Sequence, residues 1–282
     1  MIDLHIHSRY SDGTNTIDEI VRMAKQKNIK ALSLTDHDNI NGLDEMKISC
    51  EKENIECIAG IEFSTEYYGV EVHILGYFLD TRDNNLLEKL NYLKSEREER
   101  TKELLEKLKK YKINLSYEEV KSVATSDIIS RSHIALLMLQ KGYVYSIKEA
   151  FINYIGTGGA AYIPKKDVDT LGIISLLNEN KALSFLAHPK FIKVGEGKLL
   201  KMIDEFKDMG LDGIETNYSA FTEKYKNYYK NIAKEKKLLI SGGSDFHGDI
   251  RNNIEIGDGN AYYEMITHMK NHLLYKYGKV VD

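Results

Sequence analysis

The chain has 282 residues, enough for one large domain or for a domain carrying an insertion. Its 42% hydrophobic and 29% charged residues exclude a disordered or collagenous polymer. A formal net charge of −4 supplies no global field for duplex nucleic acid or an anionic membrane, so an anionic substrate must be held by local cations.

The chain starts without a basic leader or long apolar run, and its first predicted strand covers residues 2–7. Along it His5 and His7 alternate, so both imidazoles project from one face, as a metal needing two of them requires. The turn Ser11-Asp12-Gly13 follows, then a predicted helix near 16–27. A second strand, 31–35, ends in Thr35-Asp36-His37-Asp38, a third, 57–62, ends at Glu62, and a fourth, 70–78, contains His73. Only Cys50 and Cys57 are cysteines, and they form no regular framework; a reducing, cytoplasmic setting is expected.

Between residues 81 and 164 the strand signal gives way to helical stretches rich in Lys, Glu and Leu, which reads as a helical insertion between barrel or sheet segments 1–80 and 165–282. Its first helix carries an apolar stripe at Leu86, Leu90, Leu93, Leu104, Leu108 and Tyr111, broken where the spacing lands on Arg97 and Arg100. Either these guanidinium groups face something anionic, or their stems pack while their heads reach solvent or neighbours such as Glu96. The run Gly156 to Ala161 lacks the flanking strand and Lys-Ser/Thr of a P-loop and is expected to be a bend leading back to the main body.

Three further strands follow, at 182–187, 213–215 and 239–244, with helices near 198–209 and 222–236. Ala187-His188-Pro189 closes the fifth strand and Ser244-Asp245-Phe246-His247 closes the last. The alternation is that of an α/β protein with buried parallel strands, and strand count alone leaves a closed barrel and an open sheet both standing. His268 and His272, at i and i+4 near the C-terminus, are expected on a solvated helix face. Each strand-end His or carboxylate has an ordinary explanation, but nine ligand-type residues at one end of a sheet make several transition-metal ions the economical reading.

Taken together, His5-Ile6-His7, Ser11-Asp12-Gly13, Thr35-Asp36-His37-Asp38, Gly60-Ile61-Glu62, His73, Ala187-His188-Pro189 and Ser244-Asp245-Phe246-His247 resemble the motifs of the PHP family, the polymerase and histidinol phosphatase superfamily. That resemblance implies a distorted seven-stranded β/α barrel with up to three metal ions at one end. Arg97, Arg100, Arg131-Ser132-His133-Ile134-Ala135 and Glu149-Ala150-Phe151 are similar to the insertion of the subgroup that dephosphorylates nucleoside 3',5'-bisphosphates and trims short RNA, with Ser132 where that subgroup has proline. It implies a first metal on His5, His7, Glu62 and Asp245, a second sharing Glu62 with His73 and His188, and a third on Asp12, His37 and His247. Mixed imidazole and carboxylate ligands suit Mn, Fe or Zn better than Mg. A hydroxide held between two ions would attack phosphorus, with Glu62 and Asp245 holding the metals that activate it. Arg97, Arg100 and Arg131 would clamp substrate phosphate, and Asp36 and Asp38 would orient ligands. His133 stands as either a proton donor or a packed residue of the insertion. The partner expected is a small phosphorylated nucleotide or short oligonucleotide, with no membrane, no duplex nucleic acid and no obligatory protein partner. Histidinol phosphate hydrolysis, hydrolysis at carbon by a binuclear site, and a non-catalytic accessory module are the alternatives.

Overall fold

The computed structural model describes residues 1–124, 129–164, 168–251 and 253–281. Seven strands follow one another around the sheet in chain order: β1 (Asp3–Ile6), β2 (Ala31–Leu34), β3 (Glu56–Tyr67), β4 (Val70–Tyr77), β5 (Leu183–Leu186), β6 (Gly213–Tyr218) and β7 (Leu239–Gly243). The ends meet beyond β7, where the amide of His7 donates to the carbonyl of Phe246 (2.9 Å) and the amide of Asp245 to that of His5 (2.8 Å). The sheet is therefore a nearly closed barrel. Asp3 strengthens the seam: its buried carboxylate accepts from the amides of Ser244 (2.8 Å) and Gly257 (2.7 Å). Burial pushes this carboxyl up to about 6 despite those hydrogen bonds.

Not all strands are parallel, contrary to the sequence expectation. β4 is antiparallel to both β3 and β5, while the remaining pairs are parallel, so β4 alone is reversed. The cause is local. Tyr68 (φ 45°) and Gly69 (φ 76°) form a two-residue turn with both residues in the left-handed region, the geometry that joins antiparallel strands, whereas a parallel return needs a crossover. β3 also runs five residues past Glu62, the expected end, to complete this hairpin.

Helices α1 (Ile17–Gln26), α2 (Leu43–Glu53), α7 (Thr170–Glu179), α8 (Glu196–Asp208), α9 (Glu223–Glu235) and α10 (Glu264–Tyr277) flank the barrel. α1 starts with a capping box in which Thr16 and Glu19 bond each other's amides, and it buries Ile17, Ile20, Val21 and Ala24. α2 lies against β2 and β3, α7 against β3 to β5, and α9 against β6 and β7. Period-2 alternation gives single strand faces two jobs: Ile58 shares a face with Glu62, and Leu75 and Tyr77 share one with His73. Thus the apolar filling of the barrel passes directly into its polar end.

α3 (Asn84–Lys109), 26 residues long, spans two apolar clusters. Leu86, Leu90 and Leu93 belong to the main core, whereas Leu104, Leu105 and Leu108 join a separate core with α4 (Tyr117–Val123), α5 (Arg131–Gln140), α6 (Ile147–Ala150) and the π-helical turn Phe151–Ile155. Arg97 and Arg100 fall where one cluster ends and the other begins. Tyr111, assigned from spacing to the apolar stripe, lies past the helix end and is 45% exposed. The run 156–161 is a tight turn folded back on the π-helical segment through Ala160 N–H to Asn153 (2.9 Å) and Ala161 N–H to Tyr154 (2.8 Å). The expected return to the barrel at residue 165 falls outside the described residues.

Barrel closure yields a stability prediction. A Cβ added at Gly243 would lie 2.4 Å from the backbone nitrogen of His5, an overlap that only strand separation can relieve. Gly243→Ala should cost about 1–3 kcal/mol, the range for overpacking, seen as a lower midpoint in thermal unfolding. An unchanged midpoint would show that β7 has slack against β1.

Candidate functional site

All nine ligand-type residues singled out from the sequence gather at one barrel end. His5 lies in β1 and His7 just beyond it; His37 follows β2, Glu62 lies in β3, His188 follows β5, and Asp245 and His247 follow β7. Asp12 comes from the loop before α1. Because β4 is reversed, His73 reaches this end from the starting half of its strand, opposite Ser64.

Glu62, buried in the barrel mouth, divides its two oxygens among five imidazoles. Oε1 lies 2.9 Å from His73 Nδ1 and 2.9 Å from His188 Nε2. Oε2 lies 3.2 Å from His5 Nε2, 3.1 Å from His7 Nε2 and 3.3 Å from His37 Nδ1. Burial works to raise this carboxyl, but His37, His5 and His73 outweigh it and hold it well below the ordinary range. Asp245 is likewise held low against burial by Arg251, His5 and His247. His247 and His37 do the same for Asp12.

Three groups of side chains bring ligand atoms within 4.8 Å of one another: His5, His7, Glu62 and Asp245; His7, Asp12, His37 and His247; and His37, Glu62 and His73. His7 and His37 thus fall in two groups each, whereas the expectation gave them one metal apiece. His188 meets the cluster through Glu62. A chemical test of fit is available. His5 Nε2 and His7 Nε2 lie close to Glu62 Oε2 but out of hydrogen-bonding alignment, and His7 Nδ1 is buried without a partner, a state that costs about 1–3 kcal/mol per orphaned group. A cation would satisfy the single lone pair that each neutral ring carries, and the imidazole and carboxylate donor set is one that transition metals accept.

The surroundings fix the ligands. Glu215, at the end of the sixth predicted strand but not singled out there, is fully buried and receives His5 Nδ1 (2.9 Å) and the amide of His188 (2.8 Å). Its signal was a carboxylate closing an apolar strand. Tyr218 donates to Asp245 (2.6 Å), and Arg251 pairs with the same oxygen. Asp36 accepts the amide (2.8 Å) and hydroxyl (2.7 Å) of Ser8 and so shapes the loop that carries Asp12. Asp38 accepts the amide of Ser64 (3.0 Å) and an ion pair from Arg97.

Above the cluster is a cavity of about 160 Å³. Asp12, His37 and His73 form its floor, Arg97, Arg100 and Arg131 its cationic wall, and Leu104, Ile134, Phe151 and Tyr162 its apolar wall. Arg131 pairs with Glu71, and Arg97 keeps a buried Nε–H without a partner. Arg100 lies 4.0 Å from Glu96; burial, reinforced by Arg97, lowers its guanidinium to about 10, still charged at neutral pH. Ser132, at the second position of α5, sets its hydroxyl 3.3 Å from Asp12. His133 occupies the third position and accepts the amide of Ser130 at Nδ1 (3.1 Å), so its ring proton is on Nε2. Burial lowers its pKa, which keeps the ring neutral.

His272 departs from the sequence expectation. It is half-buried and lies 2.9 Å from Asp212, which also holds Lys276 at 2.7 Å; only His268 is on an exposed face. Among the described residues no helix is long and apolar enough to cross a membrane.

The chain is 34% identical to a 5'-3' exoribonuclease of Haemophilus influenzae, over 87% of this chain and 89% of that protein. It is 26% identical to a 3',5'-nucleoside bisphosphate phosphatase of Chromobacterium violaceum, over 91% of this chain and 90% of that one. A Bifidobacterium adolescentis structure described as a metal-dependent phosphoesterase superposes with a TM-score of 0.85 at 23% identity, covering 99% of this chain and 96% of that one, and speaks to the fold. The PHP domain model matches residues 3–170, so the chain belongs to the PHP domain family.

Proposed function

We propose that this protein is a metal-dependent phosphoesterase acting on nucleoside 3',5'-bisphosphates or on the 5' ends of short oligonucleotides. The observation that carries this reading is a single carboxylate, Glu62, dividing its oxygens between two sets of imidazoles beneath a cavity lined by four arginines, Arg97, Arg100, Arg131 and Arg251. The names of the two relatives supply the substrate classes.

In this reading His5, His7, Glu62 and Asp245 hold one ion, Glu62, His73 and His188 a second, and Asp12, His37 and His247 a third, with Mn, Fe or Zn suited to the donors. Bound divalent ions supply an acidified water as nucleophile and neutralise charge on the phosphoryl oxygens. The chain's own residues do the rest. Glu215 keeps His5 in one tautomer, and Tyr218 and Arg251 fix the orientation of Asp245. The segment 81–164 acts as the substrate-binding insertion. Asp38 and Glu71 hold Arg97 and Arg131 in place, and the free Nε–H of Arg97 and the weakly paired Arg100 remain for a phosphate away from the reacting one. The Nε2–H of His133 is a neutral donor for a phosphate or leaving-group oxygen. Histidinol phosphate fits less well, because its amine needs a free carboxylate and Glu71 in the cavity wall is taken by Arg131 and by Thr157 (3.3 Å). Incubating the Mn-loaded protein with adenosine 3',5'-bisphosphate, a 5'-phosphorylated trinucleotide and histidinol phosphate, and measuring released phosphate and mononucleotide, tests the choice. Turnover of histidinol phosphate alone would overturn it.

Three variants probe the assignments. Glu62→Gln should lower metal content and cut turnover by about 10²- to 10³-fold or more; full metal occupancy by elemental analysis would remove the shared-ligand role. Arg100→Ala loses a charge-assisted hydrogen bond worth about 1.5–3 kcal/mol, or about 10- to 150-fold in kcat/KM for the bisphosphate, and much less for an aryl monophosphate. Equal losses on both would assign Arg100 to packing. His133→Gln retains a capping group at the third helical position and should lower kcat by about 100-fold without a shift in Tm. His133→Ala should in addition cost about 1 kcal/mol of stability. If the Gln variant keeps full kcat, His133 is a cap alone.

A further inference from the structure

The ligand cluster has a second flank, away from the arginine cavity, built by the segments that follow β5 and β6. After His188 the chain enters the short 3₁₀ turn Pro189–Phe191, which leaves the Phe191 ring 49% exposed. That ring is 6.3 Å from the imidazole of His188 and 5.6 Å from Tyr218, whose hydroxyl is bonded to Asp245. Beneath it the buried Phe221 ring, 6.1 Å away, backs Phe191, and Tyr225, 6.5 Å from Phe221, is exposed again. Lys190 Nζ lies 4.0 Å over the Tyr225 ring, and no described carboxylate pairs with it. An exposed Lys193 follows two residues after Phe191, and Lys190, Lys224 and Tyr225 line an open groove of about 420 Å³. The one carboxylate in the groove wall, Glu196, is occupied by the Tyr228 hydroxyl at 2.5 Å.

An isolated exposed phenylalanine needs no explanation. This one begins a run of rings at a cluster histidine, leads away from the cavity, and is bordered by lysines. Aromatic faces interleaved with cations are how proteins hold single-stranded nucleic acid without reading its sequence, bases stacking on rings while phosphates meet ammonium groups. We propose that this strip is the subsite for the nucleotide on the 3' side of the scissile phosphate. A single-stranded oligonucleotide places its 5'-terminal nucleotide under α3 and α5, its scissile phosphate at the ligand cluster, its next base on Phe191 and its following phosphates along Lys190 and Lys193. The inference rests on the phosphoesterase reading and deepens it: the protein is built for a chain with two open sides to its site, and a mononucleoside bisphosphate fills only one.

The chain has no tryptophan, so Phe191→Trp installs a sole indole at the proposed stacking position. Titrating the metal-loaded variant with a 5'-phosphorylated, phosphorothioate-linked trinucleotide should quench its emission, whereas AMP, which fills the arginine cavity alone, should not. In turnover, Phe191→Ala should lower kcat/KM for a 5'-phosphorylated trinucleotide relative to that for adenosine 3',5'-bisphosphate by about 5- to 140-fold, the span of base stacking on an aromatic ring. Unquenched emission with the trinucleotide, or an unchanged ratio of the two kcat/KM values, overturns the subsite. Failure of the wild-type protein on both substrates overturns the phosphoesterase reading instead, and the emission titration still decides the stacking.

Discussion

One buried carboxylate governs the barrel mouth. Glu62 is almost wholly removed from water and stands against five imidazoles that come from four separate stretches of chain. An uncompensated charge in that position would be prohibitive, so the fold must deliver hydrogen-bond donors or cations to both oxygens at once. That requirement explains the seam between β1 and β7, which brings Asp245 to His5 and His7, and the reversed strand β4, which sets His73 opposite the second residue after Glu62. It also explains why the flanking carboxylates, Glu215 above all, bond to the outer sides of the imidazoles. Each such contact fixes a ring so that its other nitrogen faces inward.

Much of this was legible in the sequence, for identifiable reasons. His5 and His7 announce a shared strand face because the period of a strand is 2, and polar residues that close apolar runs mark the end where loops carry chemistry. The break in the stripe of α3 was legible as a break, although spacing could not say whether Arg97 and Arg100 faced a cavity or solvent. What stayed hidden was relational. The pairing of Arg97 with Asp38 joins residues 59 positions apart, and Arg251 meets Asp245 through a turn with no regular period. The direction of β4 was encoded in Tyr68-Gly69, yet a tyrosine in the left-handed region is not a residue that turn statistics favour. Glu215 was overlooked because it belongs to a short strand and ligates nothing in the expected scheme; it acts on the ligands.

Three non-glycine residues at the barrel end, Asp38, His188 and Asp245, have positive φ. Each lies just past a strand end, where the chain must turn sharply to aim a side chain or carbonyl back at the cluster. Backbone in such regions costs of the order of 1–3 kcal/mol per residue and persists where neighbours over-determine it. Here the neighbours are visible: Asp38 is held by Ser64 and Arg97, His188 by Glu215 and Glu62, and Asp245 by Tyr218 and Arg251.

The continuity of α3 has a mechanical consequence. Its first turns are anchored in the barrel core and its last in the second cluster, with Arg97 and Arg100 on the unbroken stretch between. On this side the gap between floor and roof is therefore set by a stiff rod, since bending a helix sharply needs a proline, a glycine pair or an inserted group, none of which occurs along 84–109. A ligand entering the cavity finds its guanidinium groups already in place and forfeits little entropy in ordering them. In the proposed reading, selectivity on this side becomes a matter of length, the fixed span from floor to roof acting as a gauge for the distance between two phosphates.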